Sequence, residues 1–481
     1  MTDFCSMTAT ALVAGIKAGD FACAEVMAAS IARIEAVDPL VNAMVTRDFD
    51  RAMASAKAVD AKRLNNEDIG SLAGLPIGIK DLEATKGITT TFGSLPHKDY
   101  VPDQDDVSVA NVKAKGGIII GKTNTPEYGT GGNTWNDVFG VTANPFDTDK
   151  TPAGSSGGSA AALATGMVPL ATGSDFGGSL RTPASFCGVV GFRPSPGLVP
   201  DENKAVGLAP FAVLGPMARV VADAVLLCDA QSSFDARDPF SKAGQGAMAP
   251  SMQAADLSQM TAAISADLGV APVAKAIRQL FDQRMGYLTS SFAEAQKRDP
   301  VFDHVHDCFE VLRGVSYVAG CKDIVDKHRD VVSPLMIDNV DRALAYSLAD
   351  VADASHTQSV LAKAWLALFD EVDVVICPAA SVAPYPHKDK FIAEIDGVKM
   401  PTYMTWLALS YAPTMVMACS LVVPCGVDGD GLPFGIQLLG PPGGDRKLLE
   451  IGLAIEAVLA AEPETMRPQP NINRLISTGQ Y

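Results

Sequence analysis

From about residue 73 to 230, short apolar runs alternate with Gly-rich turns and helical stretches: "LPIGIK", "GGIIIGK", "MVPLATG" and "GVVGF". Brief apolar runs bounded by glycine or proline read as buried strands, and their alternation with helices is the signal of an α/β sheet. Upstream, Met27, Ile31 and Ile34 fall at i, i+4 and i+7, predicting a helix that Pro39 of "VDPL" should stop. The first forty residues therefore read as a helical cover over the core. From about 241 to 370 the text turns mostly helical and polar, as in "PVAKAIRQLFDQRM" and "SVLAKAWLALFDEV", and leads into the strand candidate "VDVVICP". The C-terminal "SLVVPCG" and "GLPFGIQLLG" are again strand-like, so the sheet opened near residue 75 closes near 440. The reading is one large domain over 1–481: a core at 70–240, a helical excursion at 241–370 expected to shape a pocket, and a return to the core sheet at 371–481.

Composition narrows what such a chain does. With 48% hydrophobic and 19% charged residues over 481 positions, it can bury a large core. A net charge of −17 argues against a surface that grips nucleic acid or anionic membrane. The N-terminus lacks a basic region followed by an apolar run, and no stretch reaches the ~18 apolar residues of a membrane span. A cytoplasmic location is expected. Nine cysteines, an odd count without CxxC spacing, predict reduced and mostly buried thiols.

Two motifs invite chemistry and fail on physical grounds. "GGIIIGKT", residues 116–123, matches the phosphate-loop pattern, but the residues that would wrap a phosphate are Ile118, Ile119 and Ile120. These β-branched residues favour extended backbone, and "NTPEYGTGGN" follows where a helix should open. Residues 117–121 are read as a buried strand. "HVH" at His304 and His306 has no third ligand at metal-site spacing and is read as solvated or capping.

"TGSDFGGSLRTPASFCG", residues 172–188, carries the sharper signal. Upstream, "PAGSSGGSAAALATG" predicts a helix from about Gly157, followed by a strand at "MVPLATG". A helix of about ten residues spans ~15 Å, and the strand runs about as far. If the strand returns antiparallel to the helix, Ser155 and Ser179, 24 positions apart, arrive at one end. The two Gly-rich turns would offer unhindered N–H groups to an oxyanion. A serine needs a base to become a nucleophile. Lys80, ending "GLPIGIK", is the candidate, since burial depresses a lysine's pKa and only the neutral amine accepts a proton. Alone it reads more readily as a solvated lysine at a strand end, since lysines are rarely buried.

"GLPIGIKDL", "GKTNTPE", "NPFDTDKTPAGSSGGSAAALATG" and "GSDFGGSLRTPASFCGVVGFRPS" together resemble the amidase signature family, and the likeness continues through "DARDP", "DVVICPA" and "GLPFGIQLLGP". The resemblance implies an α/β domain with a central mixed sheet flanked by helices, with residues 70–240 as its signature core. It implies amide hydrolysis through an acyl-enzyme on Ser179, with Ser155, preceded by a cis peptide, relaying the proton and Lys80 as base. The backbone amides of Phe176, Gly177, Gly178 and Ser179 would form the oxyanion hole, with Asp175 and Arg181 as supporting residues or a local ion pair. Neither metal nor organic cofactor is implied. The expected partner is a small amide, with no direct nucleic-acid or membrane contact and a homodimer left open.

Within that family the alternative is the glutaminase subunit of a tRNA-dependent amidotransferase. Its motif usually has a small threonine where this chain has Phe176 and a glutamine where it has Thr182, so a stand-alone hydrolase is favoured. A catalytically silent scaffold is the alternative of another class, opposed by the filled triad positions. Two further departures are "GFRPS" for the commoner Lys-Pro-Thr ending, and "MACSLVVPCG" where relatives commonly carry Gly-x-Pro, which predicts different backbone packing near Met417. Aryl, aliphatic, amino-acid and carbamoyl amides all stay open as substrates.

Overall fold

The computed structural model describes residues 2–242 and 248–478; residues 1, 243–247 of the expected excursion and 479–481 of the C-terminal segment lie outside the described residues. Its centre is an eleven-stranded mixed sheet. In chain order the strands are β1 (Met44–Arg47), β2 (Pro76–Lys80), β3 (Ile118–Thr123), β4 (Leu170–Asp175), β5 (Val190–Arg193), β6 (Val213–Ala218), β7 (Thr261–Ile264), β8 (Glu294–Lys297), β9 (Val374–Pro378), β10 (Cys419–Val427) and β11 (Pro433–Gly440). Across the sheet they run β1-β3-β2-β4-β6-β5-β10-β11-β9-β7-β8. The β3-β2-β4 and β9-β7-β8 neighbours are parallel and the rest antiparallel. Helices flank the sheet, so β2 and β3 are buried at every position. That double cover is why their sequences are continuous apolar runs instead of alternating ones.

The sheet reaches further into the chain than the sequence pattern predicts. β1 lies just past the forty residues read as helical cover, while β7 and β8 come from the excursion read as mostly helical. The rest of the excursion holds the helices Lys275–Leu288, Val305–His328, Pro334–Leu344 and Leu348–Leu368. Pro39 does not stop the early helix, which spans Cys23–Val41. A proline in the last turn forgoes one i→i−4 hydrogen bond. The turn is held from outside that bond: Asn42 adopts φ 55°, its N–H donates to the Asp38 carbonyl at 2.7 Å, and the Asp38 carboxylate accepts from Ala43 N at 2.6 Å.

The predicted helix-and-return unit is present as Gly157–Ala164 followed by β4. A Cβ on Gly158 would lie 2.3 Å from the Asn124 backbone nitrogen, so only hydrogen fits where this helix meets the end of β3. The phosphate-loop lookalike is strand β3, followed by a 3₁₀ turn at Glu127–Gly129 rather than an α-helix. Its Lys122 is buried, donating to the Glu83 carbonyl and to the Thr85 and Thr90 hydroxyls. His306 bonds the Tyr411 hydroxyl through Nδ1, and His304 sits at the N-cap of Val305–His328. All nine cysteines are free thiols. No helix among the described residues is long and apolar enough to cross a membrane.

Candidate active site

Lys80 closes β2 and is fully buried. Its backbone N–H is fixed by Thr172 Oγ1 of neighbouring β4 at 3.0 Å. The ammonium nitrogen lies 2.7 Å from Ser155 Oγ, 2.9 Å from Ser156 Oγ and 2.9 Å from Ser174 Oγ. Burial depresses Lys80 to about 7, opposed by the negative charges of Glu83 and Asp175. A charged lysine donates to all three hydroxyls; a neutral one donates to two and accepts from the third. The site is thus arranged to hold the amine in either state. Ser155 follows a cis peptide from Gly154, as the resemblance implies.

Ser179 sits on the turn between β4 and the helix Arg181–Cys187, half-buried. Its carbonyl accepts the Ser156 N–H at 3.2 Å, tying the two serine-bearing turns together. Gly178 has φ 119°, a conformation that side chains resist, and a Cβ there would lie 2.6 Å from Ser410 Oγ. Behind the turn, Asp175 accepts from Arg181 Nη2 at 2.7 Å and Nε at 2.9 Å, from Arg193 Nη1 at 3.2 Å, and from Leu180 N at 3.0 Å. Burial opposes its ionisation, but the Arg181 and Arg193 charges outweigh that and hold the carboxyl well below the usual carboxylate range.

The four amides expected to receive an oxyanion are not placed alike. The Gly178 N–H donates to Asp175 Oδ1 at 3.1 Å and faces the support, not the site. Phe176, Gly177 and Ser179 line the cavity; Gly178 does not. Asp175 and Arg181 therefore shape the turn from behind. Replacing Asp175 with alanine leaves two buried guanidiniums without their carboxylate, and the expected loss is about 3–5 kcal/mol of folding stability. Urea unfolding checks this; a loss under about 1 kcal/mol would assign the turn's rigidity elsewhere.

The cavity in front of Ser179 has a volume of about 350 Å³ and also exposes Ser155 and Ser174. Phe176 forms part of its wall, edge-on to Phe211 at 5.6 Å and tilted against Phe309 at 5.9 Å. Thr182 lies in the protein interior, its hydroxyl without a partner among the described residues. The excursion helix Val305–His328 lends Arg313, Ser316, Tyr317 and Cys321 to the far wall.

Sequence reasoning missed Ser156 and Ser174, the other two hydroxyls on Lys80. Ser174 was within reach: Thr172 and Ser174 are two apart on β4 and share a face. It also missed Arg193, the arginine of "GFRPS", which donates to the Asp175 carbonyl at 2.7 Å as well as to its carboxylate.

The family model described as Amidase matches residues 25–449. The chain is 31% identical to one of the subunits of the glutamyl-tRNA(Gln) amidotransferase of Streptomyces coelicolor, covering 95% of this chain and 97% of that one. It is 29% identical to an acylamidase of Rhodococcus erythropolis, covering 94% and 95%. Among solved structures, a bacterial aryl acylamidase of the amidase signature enzymes superposes with a TM-score of 0.88 at 26% identity, covering 98% of each chain.

Proposed function

The chain belongs to the amidase signature family, and on that premise we propose that it is a stand-alone hydrolase of small carboxylic amides. The observation that carries the reading is Lys80 Nζ, buried behind the cavity, at 2.7 Å from Ser155 Oγ, which lines the same cavity as Ser179. In the proposed cycle Ser179 Oγ attacks the amide carbon while its proton passes to Ser155, whose own proton moves to neutral Lys80. The carbonyl π pair becomes an oxyanion received by the Phe176, Gly177 and Ser179 amides. As the tetrahedral carbon collapses, a proton returns through Ser155 to the leaving nitrogen and the C–N bond breaks. Water then adds to the acyl-enzyme by the same route, releasing the acid and regenerating Ser179. The residues themselves supply nucleophile, relay and base, so the steps call on no metal or organic cofactor.

The reading includes a cytoplasmic location, which the nine free thiols support. The excursion at 241–370 is assigned the selection of substrate, through the side chains that Val305–His328 presents. The test is a fluorophosphonate probe followed by peptide mapping, with a panel of primary amides and anilides assayed for released ammonia or amine. Labelling at Ser179 with turnover is expected; absence of both would return the silent-scaffold reading. The 31% identity to an amidotransferase component favours one rival, a glutaminase working in a complex. Co-purification with partner subunits and ammonia release specific to glutamine would establish that rival. Against it stands Phe176, whose ring occupies the cavity wall beside the nucleophile.

A further inference from the structure

Arg313, on the excursion helix Val305–His328, faces the same cavity as Ser155 and Ser179 and is 4% exposed. Its surroundings differ from those of the buried arginines near the nucleophile. Arg181 and Arg193 share the Asp175 carboxylate. Arg313 instead donates to neutral oxygens: Nη1 to Asn339 Oδ1, and Nη2 to the hydroxyls of Tyr317 and Tyr403. Its guanidinium carbon lies 4.4 Å from the Tyr317 ring centroid and 5.4 Å from that of Tyr403. Glu310, one turn earlier, is taken by Arg342 at 3.2 Å and by the Thr402 hydroxyl at 2.9 Å. Among the described residues, Arg313 forms no ion pair.

A buried charge without a counter-ion is costly, and ring faces offset only part of that cost. The group is nevertheless held rigidly. Tyr317 is braced by Thr130 Oγ1 at 2.9 Å, and Asn339 Nδ2 donates to the Tyr403 hydroxyl at 2.7 Å. The Arg313 bonds use both Nη2 hydrogens and one of Nη1, leaving the Nε–H and the second Nη1–H to donate to an acceptor in the cavity, and a carboxylate is the acceptor that takes such charge-assisted N–H bonds most strongly. The five acids that line the cavity have partners other than Arg313. Asp106 accepts from Ala84 N at 2.6 Å and Asn203 Nδ2 at 2.8 Å, Glu202 from Val107 N at 2.9 Å, Glu83 from the Ser108 and Thr172 hydroxyls and Asp201 from Asn203 N at 3.2 Å, while Asp175 holds Arg181 and Arg193. The other cation on the wall, Lys204, is paired with Asp238 at 3.0 Å.

We propose that Arg313 receives a carboxylate carried by the amide substrate, so that the enzyme selects anionic amides over neutral ones of the same length. This rests on the hydrolase reading above. The cavity of about 350 Å³ suits a small linear compound of this kind.

The test compares kcat/KM for succinamic, glutaramic and adipamic acids with that for butyramide, pentanamide and hexanamide, and N-acetyl amino acids probe a carboxylate on the amine side. The wild-type enzyme should favour one charged series by about 10- to 100-fold, the range of a charge-assisted hydrogen bond. Arg313→Gln should collapse that charged-to-neutral ratio, mainly through KM, and Arg313→Lys should restore part of it. Calorimetric titration of the wild-type enzyme with glutarate and with N-acetylglycine reads the same site without turnover and without a variant that must fold. Equal rates for charged and neutral amides, or a ratio unchanged in Arg313→Gln, would overturn the inference. If no amide is turned over, the hydrolase reading fails, and the titration still decides Arg313: binding of either anion supports it, and binding of neither sinks it.

Discussion

Replacing Ser179 with alanine is expected to lower kcat for amide hydrolysis by about 10⁴-fold or more while leaving the fold and thermal midpoint nearly unchanged. The magnitude follows from removing the atom that forms the covalent bond: without it the remaining groups only position water and receive an oxyanion, a residual far below the full machinery. Stability should hold because Ser179 contributes its carbonyl, not its hydroxyl, to the structure: the bond it receives is from Ser156 N. The turn is fixed by Asp175, through Gly178 N, Leu180 N and the Arg181 guanidinium, bonds in which the Ser179 hydroxyl takes no part. The discriminating measurement pairs steady-state kinetics with probe labelling. A variant that keeps more than about a tenth of wild-type activity would move the nucleophile to another residue, with Ser155 next in the cavity.

How much of this was readable beforehand depends on whether an element's pattern is local. The helix-and-return unit was legible because its parts carry their own signals: small residues for a helix packed against backbone, an apolar run for the strand, and a spacing that geometry converts into proximity. The edge strands were not. β8 is "EAQK", a sequence with good helix formers and half-exposed positions, and β7 is "TAAI". Their strand state comes from pairing with each other and with β9, an interaction that no window of sequence contains. Pro39 misled in the opposite sense, since a proline in a final turn costs one bond and the Asp38 and Asn42 contacts compensate for it.

The same distinction runs through the site. Lys80, Ser155 and Ser179 stood out because their motifs are dense, whereas the fate of the Gly178 amide depended on where a neighbouring carboxylate points. Arg193 looked like a departure from a commoner lysine and proves to be a second guanidinium on Asp175. Met417, in the segment where different packing was expected, takes φ 58°. Arg313 gave no signal at all. On a helical text an arginine reads as a solvated face, and only the fold turns that face toward Ser179.

Lys80→Met is the second change with a large expected effect, and its signature is in pH as well as rate. The wild-type rate should rise with pH through about 7, where Lys80 loses its proton, and level off above. The variant should lose about 10³-fold or more of kcat/KM near pH 8 and lose this ascending limb. Stability provides an independent reading. The amine is protonated above pH 7 in the unfolded chain, up to about 10.5, but neutral over that interval when buried. The unfolded state then binds more protons, so folding stability increases with pH between about 7 and 10.5; below 7, where both states are charged, the cost of the buried charge is full and no longer varies with pH. Lys80→Met should flatten that rise in a denaturation series across the interval, whereas Ser179→Ala should keep it. A wild-type rate flat from about pH 6 to 9, with Lys80→Met equally stable and equally active, would remove Lys80 from the relay and leave the three hydroxyls around it as packing.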